Sequence, residues 1–249
     1  MLKGQVDFVA RLLDTRITFK PVCFKPPVAD VDSVTIEMRG TEELSGSVHI
    51  SLVATPADGI SLACTVIEST FNRLAFFHGL AIEPARVTDS TFSSTNTQPG
   101  HNPSHNIVSP GAGHIIITGF VPKVFIGISS ATIQSELEQV GPSGEMHFSH
   151  IRSARLSVGP VEEFMHLYAI LLIFHNDLQT KVDEFVVSIE PGVQQTQNPK
   201  TLKLETVYTR LRNEFSHKRG AVLRTTKLEM SKHLAGLHSI VQQAISQLS

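Results

Sequence analysis

The 249-residue chain has no tryptophan, only two tyrosines and two cysteines, and no apolar run longer than the eight residues from Leu167 to Phe174. Two thiols, Cys23 and Cys64, are too few for a disulfide scaffold or a four-thiolate zinc site. Eight apolar residues are less than half a bilayer span, and the opening MLKGQVDFVARLLDTR has no signal-peptide core. A cytoplasmic location without a membrane partner is therefore expected. Charged residues make up only 18% of the chain, but with 41% hydrophobic residues they are enough for a folded protein, and a disordered tail protein is excluded. Net charge is nearly absent too, at −2, so the chain as a whole is no polycation seeking nucleic acid.

That small total conceals a gradient. Residues 1–145 carry nine basic and fourteen acidic side chains, a balance of −5, whereas residues 146–249 carry twelve and nine, a balance of +3. Between Lys200 and Lys232 there are nine basic and three acidic residues, Glu205, Glu214 and Glu229. Such a run is either a solvated helix face or a binding surface for anions.

The texture changes near residue 145. Before it, Arg16–Phe24, Ser33–Met38, Ser47–Ala54, His114–Phe120 and Val121–Ile128 read as strands, punctuated by Pro26-Pro27, Gly40, Gly46 and Gly119. One amphipathic helix interrupts them, from Ile60 to His78, with Gly79 at its C′ position. Thr88–Ser109, rich in Ser, Thr, Asn, Gly and Pro, reads as a long loop. After residue 145, helical spacing takes over in Met146–Leu156, in the run from Pro160 through Leu178, and on to Ile189. Gln194–Lys200 reads as a polar loop, followed by helices over Lys203–His217 and Thr226–Leu248. The expected fold is α+β: a β-rich domain with one packed helix over 1–145, then an all-α bundle of four or five helices over 146–249. The helix after Pro160 is apolar around most of its circumference, which points to a homodimer burying part of this half.

The candidate chemistry lies in LETVYTRLRNEFSHKRG, where Arg212 is followed five residues later by His217. Eleven arginines and twelve histidines would give about 0.5 such pairs by accident, and the chain holds two. The other, Arg73 and His78, falls at the end of the N-terminal helix and reads as a helix terminus, with His78 capping before Gly79. Five residues on a helix amount to about 500°, or 140° past one turn, so Arg212 and His217 share no face unless the helix breaks at Ser216. Their setting is distinctive, with Asn213, Lys218, Arg219 and Arg224 nearby in the most basic window.

This arrangement resembles the HEPN superfamily, whose helical bundles carry an Arg-polar-x-x-x-His motif near the last helix. The resemblance covers roughly residues 146–249. In layout, through LETVYTRLRNEFSHKRG, EEFMHLYAILLIF and FNRLAFFHGL, the whole chain is similar to bacterial proteins labelled methylamine-utilisation MauJ. The resemblance implies an endoribonuclease of the kind found in bacterial defence, acting without metal or other cofactor as a homodimer with two motifs in one cleft. In those roles His217 would transfer the proton of a ribose 2′-OH. Arg212 would pair with phosphate oxygens, and Asn213 would orient the imidazole or the phosphate. Lys218, Arg219 and Arg224 would hold flanking RNA phosphates.

Competing readings remain open. In a purely structural one, Arg212 pairs with Glu205 or Asp183 and His217 caps its helix. In another, the bundle is a catalytically silent RNA- or nucleotide-binding dimer, and the N-terminal domain recognises a protein partner. His101, His105 and His114 have metal-ligand residue types, but no Cys, Asp or Glu lies between Ser90 and Gly113 to complete a shell, so a metal-free loop is expected. Around the end of the central helix, His166 and Asp177 read as interface or surface residues, with Asn176 or Asp177 alternatively a polar group facing the Arg212 cleft.

Overall fold

A computed structural model of the chain describes residues 1–13, 15–95, 124–217 and 224–247, and their side chains except those of residues 15, 16, 124–126 and 217. The chain divides into two compact units, Met1–Gly141 and Pro142–Ser249.

The first unit is built on strand alternation. In β1 (Leu2–Arg11), Val6, Phe8 and Ala10 are buried while Gln5, Asp7 and Val9 line the opposite face. β1 pairs antiparallel with β5 (Glu43–Val53) on one side and β6 (Arg86–Ser94) on the other. β3 (Val22–Phe24) and β4 (Val31–Arg39) complete a five-stranded sheet in the order β3-β4-β5-β1-β6. β2 (Thr15–Thr18) pairs in parallel with β7 (Val124–Gly127). The helix α1 (Pro56–His78) covers the apolar face of the sheet with Ala63, Val66, Ile67, Phe71 and Leu74, and Phe71 meets Phe8 edge-on. Thr55 and Asp58 form a capping box at its start, and Gly79, at φ 65°, closes its end through a hydrogen bond to the Ala75 carbonyl.

Arg73, 4% exposed, donates from Nη1 to the carbonyls of Glu136, Leu137 and Gln139 at the end of α2 (Ser130–Glu138). His78 Nε2 lies 2.7 Å from Glu136 Oε2. The first Arg-x4-His pair therefore clamps one helix to another: Gly79, not His78, caps α1.

Three local expectations need correction. Leu2–Arg11, where no strand is expected from the sequence, is an interior strand of the sheet, between β5 and β6. The loop expected from Thr88 is a strand as far as Ser94, because Ser90 and Phe92 bury against the sheet that β1 organises. Arg16–Phe24 is two strands, interrupted around Pro21. His101, His105 and His114, and the strand expected over His114–Phe120, lie outside the described residues.

The second unit is helical. A single 3-10 turn (Glu145–His147) leads into α3 (Phe148–Arg155), α4 (Pro160–Phe174) and α5 (Gln179–Ile189), followed by α6 (Val207–His217) and α7 (Arg224–Ser246). Pro160 at the first position of α4, with Glu162 and Glu163 in its first turn, sets the start of that helix. α4 buries Phe164, Leu167, Tyr168, Ile170 and Leu171 and packs along α7. Ala169 and Ile173 on its other side are exposed, Ile173 by 57%. Gly144, at φ 71°, is required where the chain meets the end of α7: a Cβ there would sit 2.2 Å from the Ile245 carbonyl oxygen.

The bundle is not all-α. Between α5 and α6, where a loop and the start of a helix were expected, β8 (Gln195–Gln197) and β9 (Leu204–Thr206) form a short antiparallel hairpin. Its turn is held by Asn198, whose Oδ1 accepts from the backbone N–H groups of Lys200 and Thr201. A side chain that mimics a turn in this way needs no apolar pattern. The result is that α6 begins at Val207 rather than near Lys203.

Candidate functional site

α6 is anchored at its first turn by one carboxylate. Asp183 Oδ1, from α5, accepts from Thr206 N–H at 2.9 Å, from Thr206 Oγ1 at 2.7 Å and from Thr209 Oγ1 at 2.6 Å. Since the Thr209 hydroxyl proton goes to Asp183, the Tyr168 hydroxyl, 2.7 Å away, donates to Thr209. Val207, Tyr208 and Leu211 are buried, and Tyr208 donates to Glu190 at 3.0 Å. The start and inner face of the helix are fixed, so the outward positions of Arg210, Arg212 and Asn213 are fixed with them.

The two arginines of α6 have different surroundings. Arg210 is ion-paired twice, with Glu214 at 2.7 Å and Glu229 at 2.6 Å, and Glu214 also accepts from Thr226 Oγ1. That cluster joins α6 to α7. Arg212 is half-buried and donates from Nη1 to Asn213 Oδ1 at 3.1 Å. Among the described residues no carboxylate forms an ion pair with it, neither Glu205 nor Asp183, so the structural pairing considered from the sequence is not made.

Asn213 is the hub. Its Oδ1 also accepts from Gln179 Nε2 at 2.9 Å, and its Nδ2 donates to Glu205 Oε2 at 3.3 Å. Glu205, 8% exposed, takes a second bond at the same oxygen from Asn198 Nδ2 at 2.8 Å. Behind this layer lies Tyr168, whose phenol is pushed well above its ordinary range chiefly by burial. Asp183 and Glu205 add to that shift, while the Arg212 charge opposes it. Tyr168 therefore keeps its proton and serves as a fixed donor.

Searches against family models, curated proteins and solved structures find no match. What the site can do must be read from its own chemistry.

Of the residues singled out from the sequence, Arg212 and Asn213 are in direct contact. His217 is the last residue of α6, and its side chain is not described. The helix stays continuous through His217, so the break at Ser216 that would bring the pair together within one chain is absent. Arg224 is exposed at the first position of α7, and Lys218 and Arg219 lie outside the described residues. His166 is exposed and bonded to Ser157 Oγ at 2.8 Å. Asn176 and Asp177 form the left-handed turn between α4 and α5, at φ 53° and 59°. The residue that this connection sends to the site is Gln179. Gln179, Asn198 and Tyr168 carry no sequence signal for the site, and Glu205 enters the sequence analysis only in the competing structural reading, as a possible ion-pair partner of Arg212 beside Asp183. Among the described residues no group of three or more His, Cys, Asp or Glu could hold a metal ion, and no helix is long and apolar enough to cross a membrane.

Proposed function

We propose that the chain is a HEPN-like, metal-independent endoribonuclease of the cytoplasm, acting as a homodimer through Arg212 and His217. The observation that carries this reading is the state of Arg212. A half-buried guanidinium without a counter-ion is costly unless an anion completes it, and its planar fork matches a phosphate. Two residues earlier Arg210 spends its charge on two carboxylates, whereas Arg212 is held by a neutral amide oxygen and keeps its charge. His217, at the end of the same helix, supplies an imidazole, a side chain able to serve as general acid or base. Because α6 is continuous, the imidazole that works with a given Arg212 comes from a second chain, and Ile173 on the outer face of α4 is an apolar surface for that chain to cover. Arg224, Lys218 and Arg219 provide phosphate contacts along the RNA. The reaction transfers the ribose 2′-OH proton to a base as its oxygen attacks the adjacent phosphorus. The 5′-oxygen then leaves with a proton, producing a 2′,3′-cyclic phosphate.

The same continuity supports a second reading, a silent RNA-binding dimer whose N-terminal unit recognises a protein, should the second imidazole not reach the site. Single-turnover cleavage of a labelled RNA pool in EDTA separates the two. Wild type should cleave, leaving cyclic phosphate ends. His217→Ala should lose about 10²–10⁴ in rate, and Arg212→Lys nearly as much, since an ammonium cannot form the bidentate contact. Equal rates for wild type and His217→Ala would assign cleavage elsewhere. Binding without cleavage would select the silent dimer.

A further inference from the structure

We propose that Glu205 is a positioning residue for the Arg212 guanidinium, acting through the side-chain amide of Asn213; the proposal rests on the ribonuclease reading above. A guanidinium only donates hydrogen bonds, and an ionised carboxylate only accepts them. Asn213 stands between one of each. Its amide satisfies both in a single orientation, with Oδ1 on Arg212 and Nδ2 on Glu205. Turned over, it would set N–H against N–H on one side and oxygen against carboxylate on the other. Gln179 Nε2 reinforces the observed orientation with a second bond to Oδ1.

Glu205 can do this because it is itself held. It is 8% exposed, and the same oxygen that receives Asn213 receives Asn198, whose side chain also closes the turn of the β8–β9 hairpin. A continuous chain thus runs from the hairpin turn through Asn198, Glu205 and Asn213 to Arg212. Asn213 passes on orientation while keeping the carboxylate from pairing with the arginine. Arg212 spends one of its five N–H donors on this arrangement, leaving the rest for a phosphate that carries more charge in the transition state than before it.

A positioning role predicts a specific kinetic pattern. In single-turnover cleavage by the full-length chain in EDTA, Glu205→Gln should lower the maximal rate by about 5–20-fold. The RNA concentration giving half-saturation should move less than about twofold, because the loss appears mainly in the transition state. In an Asn213→Ala background, the same substitution should cost less than about twofold more. Multiplying effects, or a raised half-saturation concentration with an unchanged maximal rate, would overturn the proposal. If Glu205→Gln loses its thermal transition, Asn198→Ala takes its place, loosening Glu205 without touching Asn213. It should show a smaller fall in maximal rate that again vanishes with Asn213→Ala, and no fall would overturn the proposal. Absence of cleavage by wild type overturns the ribonuclease reading. The positioning role, which acts on the transition state of that reaction, falls with it.

Discussion

His238 shows how one side chain can tie the stability of the helical unit to pH. Its pKa is lowered to about 4, first by burial and then by the nearby Arg155 guanidinium, with a Gln242 hydrogen bond opposing. Its Nε2 is buried without a hydrogen-bond partner in the described structure. The folded chain thus holds the imidazole neutral, while the unfolded chain protonates it near its ordinary value of 6.5. From pH 6.5 down to about 4 the unfolded state binds the extra proton. Stability present above this window falls within it, by at most about 1.4 kcal/mol per pH unit. Thermal melts at pH 7 and pH 5 should show His238→Leu losing less stability than wild type over that interval. An equal loss in both would show that other groups govern the acid response. Residues of this kind are invisible to pattern reading. Arg212 and Asn213 stand out because they are adjacent within a recognisable motif. Gln179 and Asn198 reach the site from 34 and 15 positions away, brought there by a turn and a hairpin with no periodic signature.

At the scale of elements, α6 is held by its neighbours more than by its own sequence. Asp183→Ala removes the acceptor of three hydrogen bonds at the helix start and leaves the Thr206 and Thr209 donors to find other partners. The expected loss is about 2–3 kcal/mol in urea unfolding, and a change below about 0.5 kcal/mol would mean that α6 is secured elsewhere. Which elements could be read from the sequence follows from how each is held. α1, α4 and α7 have long apolar stripes, and β4 from Val34 and the middle of β5 alternate, so their periods show. α2 buries only Ile133 and Leu137, too few to mark a period. β8 and β9 bury no apolar side chain, only the polar Glu205 and Thr206, and depend on backbone pairing and the Asn198 turn. β1 does alternate, but Gly4, Gln5 and Asp7 are weak strand formers, and its interior place depends on partners some forty and eighty residues away.

For the whole molecule, the α+β class follows from that same change of period along the chain. The expected assembly depends on the outer face of α4, where Ala169 and the 57%-exposed Ile173 add apolar surface to a helix already buried on its other side. Sedimentation at micromolar concentration should show a species of about twice the 27.3 kDa chain. Ile173→Asp should shift it toward the monomer, since an unpaired carboxylate in an apolar contact is costly. A wild-type chain that sediments only as monomer would remove the composite cleft.

The amide at position 213 also bears on how such a site could be lost over generations. Asparagine and aspartate codons differ by one nucleotide, and their side chains by one nitrogen for one oxygen. An aspartate there would be repelled by Glu205 and drawn to Arg212, giving that arginine a carboxylate partner, which it has from none of the described residues. The packing of α6 through Val207, Tyr208 and Leu211 would be untouched. A lineage could therefore lose the open cation in a single mutational step and inherit the same fold, with nothing in its hydrophobic pattern to record the loss.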